Sequence, residues 1–87
     1  MAYEVRLKPS AERALRKLPR EMQRRIARRI DSLADDPRPA GSEKLAGAER
    51  LYRVRAGDYR VVYQIDDEVL VVLVVAIGHR SDVYRRL

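Results

Sequence analysis

The chain contains no cysteine and a single histidine, His79. A disulfide framework and a thiolate metal site are excluded, and one histidine with no cysteine argues strongly against a zinc centre. The absence of thiols is compatible with a reducing cytosol. Long apolar runs are missing too. The longest, Val69 to Ile77, is nine residues, well short of the roughly 20 that a membrane-spanning helix needs. The opening MAYEVRLKPS has no apolar core of signal-peptide length. The chain is therefore expected to be soluble and unexported. No glycine-rich phosphate loop, internal repeat, linker or low-complexity tract is present. A length of 87 residues suits one domain, residues 1–87, near the small end of what folds unaided.

What the chain has in excess is positive charge. Lys and Arg number 19 against 13 Asp and Glu, a formal net charge of +6. A surplus of that size on so small a chain favours a polyanionic partner, nucleic acid before membrane. Most of the basic residues are arginine, whose planar fork matches phosphate better than the point charge of lysine.

Hydrophobic spacing divides the chain into elements. Tyr3, Val5 and Leu7 alternate with Glu4 and Arg6, which predicts a strand with one buried face, ended by Pro9. Ser10 is placed to cap a helix, with Glu12 in its first turn. Ala11, Ala14, Leu15 and Leu18 share one helical face. Pro19 breaks this helix and opens a second, striped by Met22, Ile26, Ile30 and Leu33 and stopped by Asp35-Asp36-Pro37. The remainder of the second helix is basic, with Arg20, Arg24, Arg25, Arg28 and Arg29. Residues 37–49 form a connection in which Lys44-Leu45-Ala46 can dock as a turn or short strand. Three strands follow, about Leu51–Arg55, Tyr59–Ile65 and Val69–Ile77, the last apolar on both faces and so expected to lie inside the sheet. GHRSDVYRRL reads as a short polar tail. The order β-α-α-β-β-β specifies an α+β fold, a small antiparallel-rich sheet with an N-terminal helical hairpin on one face.

The stretch LYRVRAGDYRVVYQI concentrates the functional question. With Gly57-Asp58 as a two-residue loop, Arg55 lies opposite Arg60 and Arg53 opposite Val62, so the three arginines emerge on one face. Tyr52, Val54, Tyr59, Val61 and Tyr63 then occupy the other. A three-residue loop would flip the register and separate Arg60 from Arg55. A face of arginines also fits a plain solvated surface. Two features tilt toward an anion site: the clustered charges share one sign, and the tail brings Arg80 and Tyr84 to the same end of the sheet. Asp66, Asp67 and Glu68 read as a solvated turn rather than a cation site.

The order of elements, the segment LYRVRAGDYRVVYQIDDE and the ending VVAIGHRSDVY resemble the RelE/ParE toxin superfamily, and within it the RelE-type ribosome-dependent mRNA interferases. The resemblance runs from MAYEVRLKPSAERALRKL to Tyr84. It implies a toxin of a type II toxin–antitoxin pair that cleaves mRNA in the ribosomal A site, without cofactor or metal, and is neutralised by an acidic RelB-like antitoxin. In that family the residue matching Arg60 binds the scissile phosphate. The one matching Arg80 stabilises charge and serves the leaving 5′-oxygen. The one matching Tyr84 stacks on a base and orients the 2′-hydroxyl. Arg53 and Arg55 stand where well-known members carry a lysine pair, and the spacing from Arg80 to Tyr84 is shorter than in some members. A lysine among cations can shed its proton and act as a base, whereas an arginine does not. Arg53 and Arg55 therefore read as RNA-binding and positioning groups, and the base is left unassigned. His79, next to Arg80, can be that base by its chemistry, but along a strand it points away from Arg80, which favours a structural or binding role. The arginines of the second helix fit either ribosomal RNA phosphates or a solvated helix face. The alternative within the superfamily is a ParE-like inhibitor of DNA gyrase, acting through protein contacts. A further one is an inactive RNA-binding module.

Overall fold

The computed structural model describes residues 2–47 and 50–86. Its elements are β1 (Glu4–Leu7), α1 (Pro9–Arg16), α2 (Arg20–Ser32), β2 (Glu43–Lys44), β3 (Leu51–Ala56), β4 (Tyr59–Asp66), β5 (Val71–His79) and a closing 3-10 turn, Val83–Arg86. They form one five-stranded sheet of order β1-β5-β4-β3-β2. β1 runs parallel to β5, and the other pairs are antiparallel. The expected α+β architecture is the one observed, with the last strand inside the sheet. The end of the 37–49 connection, residues 48 and 49, lies outside the described residues.

The start of α1 differs from expectation. Lys8, not Ser10, is the N-cap, and Pro9 takes the first helical position. Proline is favoured there because its missing N–H would have no intrahelical partner anyway. This displaces Ser10 into the first turn. The two helices are fastened by Gln23, whose side-chain amide donates to the Leu18 carbonyl at 2.7 Å and the Arg16 carbonyl at 2.9 Å. Carbonyls freed at the end of α1 are satisfied in this way.

One face of the sheet carries the core. Val54, Val61, Tyr63, Ile65, Val72, Val74 and Ile77 meet Ala11, Ile26, Ile30 and Leu33 from the helical side. Tyr63 is fully buried, and its hydroxyl donates to the Pro37 carbonyl at 2.8 Å. Burial pushes its phenol up to about 12, so it stays a donor.

A register shift between Val62 and Tyr63 sets the other face. Val62 pairs with Ala76 but Tyr63 with Val74, which leaves Val75 as an extra residue in β5. Such a bulge changes the phase of alternation. Before it, Val72 and Val74 face the helices. After it Ile77 does so, leaving Ala76 for the open face. The tail exploits that small side chain. Val83 is fully buried against Val62 and Ala76, and a Cβ built on Gly78 would sit 3.5 Å from it. The tail is thus not merely polar, because Val83 clamps it onto the open face.

Candidate functional site

The hairpin register is the two-residue one. Arg55 pairs with Arg60, Arg53 with Val62 and Ala56 with Tyr59. Gly57 has φ +62° and Asp58 has no positive φ, the type II′ arrangement that matches strand twist. Arg53, Arg55 and Arg60 therefore leave the sheet on the face opposite the helical hairpin. Gly78 lies across from Arg60 on the neighbouring strand. Beyond the end of β5, the Arg80 N–H donates to the Asp58 carbonyl at 2.9 Å. That bond ties the tail to the hairpin tip and brings Arg80 to the arginine face.

The result is an open pocket of about 530 Å³ lined by Arg53, Arg55, Arg60, Arg80, Tyr84, Arg29, Gly41 and Glu43. All five residues singled out from sequence line it. Arg60 is half-buried, its Nη1 donating to the carbonyls of Tyr59 at 3.2 Å and Gly57 at 3.4 Å. Arg53 is held by three contacts. It donates to the Tyr84 hydroxyl at 2.7 Å, its guanidinium lies 5.7 Å from that ring's centre, and it pairs with Glu43 at 3.3 Å. The bond to Tyr84 and, less strongly, Glu43 hold the Arg53 guanidinium still more firmly in its charged form. Among the described residues, Arg29, Arg55, Arg60 and Arg80 have no carboxylate within ion-pairing distance. Like charges placed opposite each other, as Arg55 and Arg60 are, repel unless an anion lies between them. Such a cluster of guanidinium groups suits an anion.

The other three residues lining the pocket are Arg29, Gly41 and Glu43, of which Arg29 is one of the second-helix arginines that the sequence leaves open between phosphates and solvent. Arg29 reaches the pocket from α2, beside Gly41. The available signal was its position flanking the buried Ile26 and Ile30 stripe. Glu43 belongs to β2, an edge strand paired with Arg53 and Tyr52. It corrects the expectation that the clustered charges are all of one sign, because it sets one carboxylate into the arginine ring. His79, by contrast, stands on the helical side. Its ring makes an edge contact with Tyr59, centres 5.8 Å apart, and its Nδ1 hydrogen-bonds the Ser81 hydroxyl at 2.9 Å. It lines a different depression, with Arg13, Lys17 and Leu18.

The acidic turn also resolves. Asp66 accepts from the N–H groups of Glu68 and Val69, and Asp67 pairs with Arg38 at 2.8 Å. Among the described residues, no group of three His, Cys, Asp or Glu is arranged to hold a metal.

The family model described as the ParE toxin of type II toxin–antitoxin systems matches residues 5–84. Toxin RelG of Mycobacterium tuberculosis is 36% identical over 99% of this chain and 100% of its own. The mRNA interferase toxin RelE of Escherichia coli K12 is 33% identical over 97% of this chain and 92% of its own. An archaeal RelE–RelB complex from Pyrococcus horikoshii superposes with a TM-score of 0.82 at 33% identity, covering 92% of this chain and 97% of that one.

Proposed function

The chain belongs to the ParE toxin family of type II toxin–antitoxin systems, and from that premise we propose that it is a RelE-type endoribonuclease, acting as one domain of residues 1–87. It cuts mRNA in the ribosomal A site, in the cytoplasm, and is restrained by an acidic RelB-like antitoxin. The observation that carries this reading is the convergence of Arg60, on β4, and Arg80, just past the end of β5, on one pocket with Tyr84 at its rim.

The chemistry follows from those groups. The ribose 2′-oxygen attacks the adjacent phosphorus in line. A bond from phosphorus to the 2′-oxygen forms, and the bond to the 5′-oxygen breaks. Charge builds on the non-bridging oxygens, where Arg60 and Arg80 stabilise it more than they stabilise the ground state. Tyr84 stacks on a base and holds the nucleotide for in-line attack, giving up its bond to Arg53 as the RNA enters. Arg53 and Arg55 position the strand. The 2′-hydroxyl proton passes to Glu43, the carboxylate of the pocket, which Arg53 orients at 3.3 Å. The 5′-oxygen leaves as a hydroxyl, taking its proton from a water that is in turn reprotonated by Glu43. The products are a 2′,3′-cyclic phosphate, which opens to a 3′-phosphate, and a 5′-hydroxyl end.

Expression without antitoxin is expected to arrest translation, and primer extension on translated mRNA to show cuts. Arg60→Ala and Arg80→Ala should abolish both while the protein stays folded. The reading falls if both variants remain fully toxic. A second reading is the ParE-like one that the sequence left open, inhibition of DNA gyrase through protein contacts, and the matched family model is that of the ParE toxin. DNA damage and filamentation with intact mRNA would select it. An inactive RNA-binding module would leave mRNA uncut on translating ribosomes.

A further inference from the structure

A second depression, of about 460 Å³, adjoins the first and shares Arg29 and Arg55 with it. Its other lining residues are Arg25 and Arg28 of α2 and Ala56 and Gly57 at the hairpin tip. The topology explains how arginines from the helical layer reach the opposite face. β2 pairs only with Tyr52 and Arg53, so the outer edge of β3 is uncovered from Val54 to Ala56. α2 packs beside that edge, and its arginines reach round it. The Arg25 guanidinium lies against the hairpin loop, its Nη1 3.4 Å from where a Cβ on Gly57 would be. Arg29 stands between the two depressions, with its Nε buried and without a hydrogen-bond partner. Among the described residues, none of Arg25, Arg28, Arg29 and Arg55 has a carboxylate within ion-pairing distance.

We propose that this second depression is an RNA-backbone subsite, in which Arg25 and Arg28 hold phosphodiester groups beyond the nucleotide seated in the first pocket. The inference rests on the nuclease reading above. Four guanidinium groups with only Ala56 and Gly57 between them offer phosphate its preferred donors. They offer no large apolar side chain to anchor an amphipathic antitoxin helix. The shared Arg29 and Arg55 make the two depressions one continuous track, as a polymer of regularly spaced anions requires. The phosphates come either from the mRNA being cut or from ribosomal RNA.

The test compares wild type, Arg25→Gln/Arg28→Gln, and a control of equal charge change at the end of α1, Arg13→Gln/Lys17→Gln. One arm titrates 2′-O-methylated single-stranded RNAs of increasing length, which cannot be cut, across a salt series. A second arm titrates ribosomes with an empty A site. If the mRNA supplies the phosphates, wild-type affinity rises with RNA length. The Arg25/Arg28 variant loses that rise, and its salt slope falls by about 1.4, roughly 0.7 for each phosphate contact removed. If ribosomal RNA supplies them, the oligonucleotide arm is unchanged and the same drop in slope appears on ribosomes. The inference is overturned if neither arm distinguishes the variant from wild type, or if the control weakens binding as much. Primer extension on translated mRNA is run beside it. Failure of wild type to cut, with the subsite arms still responding, rejects the nuclease reading and leaves the subsite standing.

Discussion

The two faces of the sheet are made from the same strands and do opposite things. On β3 and β4, Val54, Val61, Tyr63 and Ile65 turn toward the helices and are buried. The alternate residues Arg53, Arg55 and Arg60 turn to the pocket. Period-two alternation allows this, because each residue step reverses the side-chain direction. Stability is therefore concentrated on one face and clustered positive charge on the other. The pocket face bears a repulsive arginine pair that a fold selected for stability alone would avoid. Substitutions on the two faces should separate in a pair of assays, one for folding and one for cleavage.

The covered face should give the largest effect. Ile26 is fully buried, and Ile26→Ala is expected to cost about 2–5 kcal/mol by transfer and cavity terms. Urea unfolding will show this as a lowered midpoint, with cleavage per folded molecule retained. Next is Arg60→Ala, expected to lower cleavage about a hundredfold or more while the unfolding midpoint stays close to wild type. If Arg60→Ala also unfolds the protein, the two faces are not separable and the comparison fails.

Val83 probes the boundary, as a core residue on the pocket face. Val83→Ala removes two buried carbons, worth about 1.6 kcal/mol at ~0.8 per methylene. Because Val83 anchors the turn that carries Tyr84, cleavage should fall as well, and both assays should move together. Arg55→Gln should move them in opposite directions. Relief of the Arg55–Arg60 pairing is expected to stabilise the fold by roughly 0.2–1 kcal/mol, while RNA binding weakens. A destabilised Arg55→Gln variant would mean that the pair is not repulsive in the free protein.

How much of this the sequence exposes depends on the strand. β3 and β4 alternate cleanly around Gly57-Asp58, so their register and the convergence of Arg53, Arg55 and Arg60 can be read directly. β5 is apolar throughout, which hides its phase, and nothing in its pattern marks Val75 as the extra residue. Without that shift the placement of Val83 on Ala76 cannot be foreseen. Glu43 is not legible in the sequence, and Arg29 is legible only as one of several second-helix arginines, for a related reason. Each reaches the pocket from a neighbouring element, α2 or the two-residue edge strand, and only tertiary packing brings it there. Ser10 was misjudged because two local signals compete for one helix start, and the proline at the first position prevailed.

The smallest effect should come from the far end of the sheet, where a charge cluster does structural work and no chemistry. Asp67 accepts from Arg38 Nη2 at 2.8 Å, from Nη1 at 3.2 Å and from the Tyr3 hydroxyl at 2.6 Å. Arg38 in turn donates to the Tyr52 hydroxyl at 3.2 Å. The cluster joins the start of the chain, the 37–42 connection and the turn after β4. Arg38 first, then Tyr3, hold the Asp67 carboxyl down at about 2, against an ordinary 3.8. A carboxylate depressed on folding favours the native state above its ordinary value, and that contribution fades as pH drops toward the folded one. The stability gap between wild type and Asp67→Asn should therefore be constant from neutral pH down to about 4, then close between about 4 and 2. The bond to Asp67 also raises the Tyr3 phenol above its ordinary 10.0, so the wild type should lose a further increment as pH rises past 10. The cluster is exposed and screened by salt, so both increments should shrink at high ionic strength. Thermal midpoints of the two proteins across pH, at low and high salt, measure this directly. Cleavage at neutral pH should be the same for both, because the cluster lies at the opposite end of β4 from Arg60.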